Sequence, residues 1–359
     1  MGLQHGELLR HEIHDLIDAI HHHVLRGQPG AGGWATRRAV RSVAGMMATQ
    51  VPDRYRRELS GIAQAADVSY RDLLLISCFD DVLANLRLLG AMFGRLGCSA
   101  FALTADRTAN GELVCGRNLD YFVSSAQGDD PWAATNYMKE HVAVIEFAPT
   151  DKPTFVSVGW PGFIGAATAL NDRGLMVSSL TVATYGNWPL ATPATFTYRR
   201  VMEEARTLDE AIAMIRRARR TQGNNVMVGS GDEGTAAVIE CTPQRSAVRL
   251  PRNGWVAATN HFQHPEMVRR HPRSAFLSST ERLARLGELC GSDGACSAEV
   301  AGMSGFLTDL QRRTPGANEY CTVLNPCTVY STLFAPRQRR LWVRAADCAD
   351  RSFQEIAWL

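Results

Sequence analysis

The sequence predicts an α+β fold in which helices are grouped apart from antiparallel strands, not alternating with parallel ones. Three observations carry this. Apolar residues over the first 90 or so positions recur at three- and four-residue steps. From Cys98 onward the texture changes to short β-like runs punctuated by Gly, Asn and Asp. Helical stretches interrupt those runs only between groups of strands.

Each element follows from its local pattern. Leu8, Leu9, Ile13, Leu16, Ile17, Ile20 and Val24 form one apolar stripe, the mark of an amphipathic helix. A Gly/Pro-rich stretch, Gln28 to Gly33, breaks it, and a second helix is predicted from Asp53 through Ala65. Ser69-Tyr70-Arg71-Asp72 reads as a capping box opening a helix that carries Leu73, Leu74, Leu75 and Ile76. Strands are predicted at Ser99–Thr104, Glu112–Gly116, His141–Phe147, Thr154–Trp160, Leu175–Leu180, Val226–Gly229, Ala236–Glu240 and Trp255–Ala258. Helices are predicted at Phe196–Ala205, at Leu208–Arg219 behind a Thr207-x-x-Glu210 box, and at Ser274–Leu289. Strands return at Val329–Phe334 and Arg340–Val343. Arg216, Arg217, Arg219 and Arg220 gather at a helix C-terminus, where cations complement the dipole.

Composition narrows the function classes. The 359 residues are 45% hydrophobic and 21% charged, as in an ordinary globular protein. With 38 basic and 36 acidic residues the net charge is +2, so no global field draws the chain to nucleic acid or to an anionic membrane. No run of 18 apolar residues occurs, and the start lacks a basic stretch followed by an apolar one, so a cytoplasmic protein is expected. The nine cysteines are odd in number and contain no CxxC pair, which argues against a disulfide scaffold or zinc ribbon. Lys139 and Lys152 are the only lysines, leaving few candidates for a catalytic amine. GxxxxGK[ST] is absent and the one GxGxxG, Gly229–Gly234, joins two predicted strands and opens no helix, so no nucleotide cofactor is called for, and GxSxG is absent too. His11 and His14 share a helix face, but no Cys or Glu completes a zinc spacing, and no metal is expected.

The chemistry concentrates at three places. Arg95-Leu96-Gly97-Cys98 puts a cysteine where a helical region ends and the first strand begins. Gly116-Arg117-Asn118-Leu119-Asp120-Tyr121 ends the next strand with a cation and a carboxylate three apart, and Thr259-Asn260-His261 closes a later one. A cysteine at a chain start joins a nucleophilic thiol to an α-amine whose reference pKa, about 7.7–8.0, suits a general base at neutral pH. Gly97 has no Cβ to bar Cys98 Sγ from the preceding carbonyl, so an N-to-S acyl shift followed by hydrolysis would expose that amine. Arg117 would favour the thiolate, Asp120 would hold the amine in register, and Asn260 has an amide donor for a tetrahedral oxyanion.

These pieces resemble the isopenicillin N acyltransferase family of autoproteolytic N-terminal nucleophile (Ntn) hydrolases, distantly related to choloylglycine hydrolases and acid ceramidase. Beside Gly97-Cys98 and the Gly116–Tyr121 run, the resemblance rests on Leu170-Asn171-Asp172-Arg173-Gly174-Leu175 and Met227-Val228-Gly229-Ser230-Gly231. Thr259-Asn260-His261, Ser331-Thr332-Leu333-Phe334 and the early His5-Gly6 complete the ordered set. It implies a four-layer αββα sandwich and cleavage between Gly97 and Cys98. Residues 1–97 would form a helical small chain that stays associated with a catalytic domain, 98–359. It further implies amide chemistry through a Cys98 thioester on a small-molecule amide, with an acyl-CoA or an amine as co-substrate where transfer is the reaction, in a secondary-metabolic setting. By the same resemblance Cys98 is the nucleophile, Asp120 orients its amine, Asn260 serves the oxyanion and Arg117 stands beside them. Tyr121, Phe122, Trp160, Phe163, Thr181 and His261 are candidate substrate contacts.

Two positions depart from the family. Leu180-Thr181 stands where relatives carry a polar asparagine, and no arginine is visible before the C-terminal strands, with Arg312, Arg313 or Arg337 as substitutes. Two other readings stay open: an uncut papain-like thiol hydrolase pairing Cys98 with His261, and a non-catalytic Ntn-fold binding protein.

Overall fold

The computed structural model describes residues 1–25, 31–86, 97–121, 133–271, 277–292, 300–346 and 352–358. The N-terminal region is helical, as its periodicity predicts: α1 (Gly2–Leu8), α2 (Arg10–Ala19), α3 (Ala31–Ala48), α4 (Asp53–Ala66) and α5 (Tyr70–Leu86). Then follow β1 (Gly97–Leu103), β2 (Val114–Asp120), α6 (Ala133–Glu140), β3 (Ala143–Phe147), β4 (Phe155–Gly159), β5 (Thr168–Asn171) and β6 (Leu175–Val182). Next come α7 (Ala194–Glu204), α8 (Leu208–Arg217), β7 (Gly223–Ser230), β8 (Thr235–Cys241), β9 (Ser246–Arg249) and β10 (Trp255–Ala258). The chain continues through α9 (Leu277–Gly291), α10 (Val300–Leu307), β11 (Thr328–Ala335), β12 (Arg340–Ala345) and β13 (Gln354–Glu355).

The strands form two antiparallel sheets, of order β10-β1-β2-β11-β12-β13 and β3-β4-β5-β6-β7-β8-β9. Side chains of β1 alternate across the first sheet. Ala100 and Ala102 face the second sheet among Leu119, Val158, Met176, Leu180, Met227 and Phe334. Phe101 and Leu103 face outward onto Leu286 of α9 and Met303 and Leu307 of α10. The outer face of the second sheet packs on α7, α8 and the N-terminal helices. The layers are therefore helix, sheet, sheet, helix, the α+β sandwich that the resemblance implies.

Local chemistry explains where the boundaries depart from the sequence pattern. The helix expected to run to Arg219 stops at Arg217, because Ala218 is extended and Arg220 folds back onto the carbonyls of Ile215, Arg216 and Ala218. Thr207 caps α8 as expected, but Glu210 accepts from the Arg206 N–H one residue earlier than a capping box requires. Ser69 Oγ accepts from Arg71 N–H, and Asp72 turns away to His21, so that predicted box is a serine turn instead.

The first helices are joined to the sandwich by buried polar contacts. Gly2 and Gly6 let α1 lie against α4, since a Cβ at Gly6 would stand 2.6 Å from the Ile62 carbonyl oxygen. His5, between them, accepts from Gly162 N–H (3.1 Å). Arg199 of α7 is buried between Glu58 of α4 and Glu203, at 2.8 Å from each. The Asp81 carboxylate of α5 accepts from Ala194 N–H at the start of α7. His11 pairs with exposed Asp15, while His14 bonds the Ala66 carbonyl of α4, so the two histidines serve different contacts.

Candidate active site

Cys98 is the second residue of β1, buried, with Gly97 directly opposite Asp120 and Cys98 opposite Leu119 on β2. Its backbone N–H donates to Asn260 Oδ1 (2.7 Å). Asn260 stands two residues beyond β10, the other neighbour of β1, which is how a residue 162 positions away reaches this nitrogen. One hydrogen of the Asn260 amide goes to the Thr181 carbonyl at the end of β6 (2.9 Å), which links the two sheets. Asn260, not Asp120, therefore meets the Cys98 nitrogen in this uncut chain.

The Asp120 carboxylate lies over Gly97. A Cβ there would fall 2.8 Å from Asp120 Oδ2 and 3.0 Å from Arg282 Nη2, so any larger residue would have to displace that pair. Asp120 accepts from the Thr328 hydroxyl (2.7 Å) and the Asn325 amide (2.9 Å). Burial pushes its carboxyl up, against the pull of Arg282, Thr328, Asn325 and Arg117. Arg282, on the buried face of α9, stands 3.8 Å from Asp120. It also donates to the Cys98 carbonyl (2.6 Å), Ser99 Oγ (2.8 Å) and Asn260 Oδ1 (3.0 Å). One guanidinium thus ties the carboxylate, the asparagine and the Cys98 peptide together.

Arg117 occupies the other side of Cys98. Its Nη2 donates to Cys98 Sγ (3.7 Å) and to the Ser179 carbonyl (2.6 Å). Its Nη1 donates to the Ala167 carbonyl (2.8 Å) and the Thr168 hydroxyl. Burial works against its charge, but Tyr330, Cys98 and Asp80 outweigh that and hold its pKa above the ordinary value. The Cys98 sulfur therefore faces a full positive charge. Burial pushes the Cys78 and Cys115 thiols up with no arginine to oppose it, and pushes Cys241 up to about 12 against the weaker pull of Arg220 and Arg216.

Arg117 also forms one end of an apolar cavity of about 70 Å³. Tyr121, Trp160 and Phe163 line it, joined by Leu16 of α2, Ile20 just after it, and Ile76 and Phe79 of α5. Three of the predicted substrate contacts are thus gathered, and the N-terminal region supplies part of the wall. Cys98 itself is reached through Arg117. Thr181 holds Asn260 through its carbonyl, and Phe122 lies outside the described residues.

His261 does not line the cavity. Its Nδ1 bonds Ser279 Oγ (2.7 Å) on α9 and lies near the Thr259 hydroxyl (3.2 Å). Burial, with His271, Arg282 and Arg249 nearby, lowers it to about 4. Among the described residues no hydrogen bond joins it to Cys98. The arginine looked for before the C-terminal strands is also elsewhere: Arg313 pairs with Glu288 and Arg312 with the Ala317 carbonyl, whereas Arg282 holds the site. Asp80 was the other omission; its carboxylate enters the cavity from α5 and accepts from the Tyr121 hydroxyl. Among the described residues no group of three or more His, Cys, Asp or Glu side chains is placed to hold a metal, and no helix is long and apolar enough to cross a membrane.

A family model for acyl-coenzyme A:6-aminopenicillanic acid acyl-transferase matches residues 107–349, a span that begins after Cys98 and takes in Arg117, Asp120, Asn260 and Arg282. An uncharacterized protein of Archaeoglobus fulgidus is 27% identical over 309 residues, covering 74% of this chain and 49% of that protein. Protein dcd1B of Dictyostelium discoideum is 24% identical over 192 residues, covering 53% of this chain and 34% of that protein. The chain spans half or less of the length of these curated relatives. A variant of conjugated bile acid hydrolase from Clostridium perfringens aligns with TM-score 0.50 at 12% identity, covering 72% of this chain and 92% of that one. The Caenorhabditis elegans ortholog of N-acylethanolamine-hydrolyzing acid amidase aligns with TM-score 0.47 at 17% identity, covering 72% of this chain and all of that one.

Proposed function

The chain belongs to the acyl-coenzyme A:6-aminopenicillanic acid acyl-transferase family, and on that premise we propose that it is an amide hydrolase or N-acyltransferase working through a thioester on Cys98. The single observation that carries this reading is the setting of Cys98: its sulfur on Arg117, its nitrogen on Asn260, its carbonyl on Arg282.

Activation comes first. Cys98 Sγ attacks the Gly97 carbonyl carbon, the Gly97–Cys98 C–N bond breaks, and the nitrogen takes the thiol proton. Water then hydrolyses the thioester, leaving a Gly97 carboxylate and a free Cys98 amine and thiol. That amine inherits the Asn260 contact, beside Asp120, and can accept the thiol proton when a substrate amide arrives. The second hydrogen of the Asn260 amide is available to an oxyanion. The substrate C–N bond breaks, its amine leaves with the proton, and the acyl group stays on sulfur. Water as acceptor gives hydrolysis; an amine gives transfer.

Residues 1–97 remain bound to 98–359 in this scheme. The buried Glu58–Arg199–Glu203 cluster and the Asp81 cap on α7 support that, as do the cavity walls contributed by α2 and α5. The test is to quench the protein in acid during turnover of a panel of N-acyl amides and acyl-CoA thioesters, then map adducts by mass. The expected result is a hydroxylamine-labile acyl group on Cys98. Turnover with no such adduct, or turnover by Cys98→Ala, overturns the proposal.

A further inference from the structure

Among the described residues the cavity beside Cys98 is lined mostly by apolar side chains, and two charged groups reach it: Arg117 and Asp80. They are not equivalent. Arg117 gives both Nη atoms to three oxygens and the Cys98 sulfur, and only its buried Nε–H is without a partner. Asp80 is held by two neutral hydroxyls, those of Tyr121 and Thr181, and among the described residues no arginine or lysine forms an ion pair with it. A carboxylate with four lone-pair sites has acceptor capacity left after two hydroxyl bonds. Arg117 is tied to its own oxygens and to Cys98 and forms no ion pair with Asp80, so its charge only partly compensates this carboxylate in a low-dielectric wall.

We propose that Asp80 is a specificity-determining residue, and that the substrate carries a primary ammonium group which this carboxylate binds inside the cavity. The inference rests on the reading of Cys98 as the acyl-forming group, and adds that the selecting charge comes from α5 in the N-terminal segment. A cation fits better than a neutral donor, because the site already offers Asp80 two neutral donors. The rings of Tyr121, Trp160 and Phe163, packed edge-on at 6.4 Å spacing, add aromatic surface that tolerates a cation. Burial pushes the Asp80 carboxyl up, only partly offset by Tyr121, Arg117 and Thr181, and an ammonium partner would draw it back down.

The test needs no turnover. Cys98→Ala keeps the chain in the uncut form described above, and benzylamine and benzyl alcohol are nearly isosteric probes that differ by one charge. Calorimetric titration is expected to show benzylamine binding at least about tenfold more tightly, as for a charge-assisted bond in a desolvated site. Asp80→Asn in the same background is expected to bring the two affinities together, with Asp80→Ser as a second charge-free variant and circular dichroism reporting the fold. Equal affinities in the parent, binding of neither probe, or a preference that survives both variants overturns the proposal. Failure of the Cys98 thioester would show instead in the adduct map, so the two readings fall separately.

Discussion

Replacing Arg282 with methionine removes a guanidinium and leaves a side chain of comparable reach. The loss is fivefold: the bonds to the Cys98 carbonyl, Ser99 Oγ, Asn260 Oδ1 and Ser278 Oγ, and the charge facing Asp120. Neither Arg282 nor Asp120 has exposed side-chain surface, so water cannot take over. Breaking such a buried pair costs about 3–5 kcal/mol. Protonation of Asp120, which burial already favours, holds the cost toward the lower figure. At about 2–4 °C per kcal/mol, the melting temperature falls by roughly 10 °C. The effect on chemistry is larger than on folding, because Asn260 loses the bond that fixes its carbonyl against the Cys98 nitrogen. A displacement near 1 Å lowers rate by about 100-fold. Scanning fluorimetry gives the first quantity and a mass-spectrometric time course of chain cleavage the second. Arg282→Lys keeps the charge but not the fork, so it should recover part of the stability and little of the rate. An Arg282→Met protein that melts within 2 °C of wild type and cleaves at the wild-type rate would refute the reasoning.

The other predictions concern the N-terminal segment. Arg199→Met strands Glu58 in the interior while Arg54 and Tyr55 still hold Glu203, at a cost toward the lower end of about 3–5 kcal/mol. Residues 1–97 of cleaved protein should therefore dissociate from 98–359 at a lower denaturant concentration than in wild type, read by gel filtration; an unchanged midpoint would contradict the lock. Burial and the Arg199 charge lower His5 from 6.5 to about 4, so its neutral ring stabilises the folded state fully above pH 6.5 and loses that effect as pH falls toward 4. The melting difference between wild type and His5→Gln should therefore shrink by about 1.4 kcal/mol per pH unit across that window; a constant difference would count against it. Asp81 works in the opposite sense. Burial raises it to about 7, so its cap on α7 loses stabilising effect as pH rises from 4 to 7, and Asp81→Asn should flatten that slope.

Cys98, Arg117 and Asp120 stand out in the sequence as candidates because two neighbouring strands, β1 and β2, carry them and local pattern marks both. The inner strands were harder. Both faces of β1 and β2 are buried, so their sequences lack alternation and are marked only by bounding glycines and polar residues. The short strands β5, β9 and β13 give too little periodicity to register, and α10 reads as an apolar run broken by Gly302 and Gly305. Arg282 looks like any surface-helix arginine in Glu281-Arg282-Leu283-Ala284-Arg285. Only the docking of α9 against β1 aims it at Cys98 while Arg285 turns to Asp309. Asp80 is hidden in the same way, one of two adjacent carboxylates, of which Asp81 caps a helix and Asp80 enters the cavity. Nothing in local spacing separates these roles, because they are set by tertiary approach.

The central claim is that Cys98 becomes a chain start. Intact-mass spectrometry of the purified protein beside Cys98→Ala tests it most directly. The account predicts two masses for wild type, corresponding to residues 1–97 and 98–359, and one full-length mass for the variant. A single uncut mass in both, from protein that nonetheless turns over an amide, would contradict it.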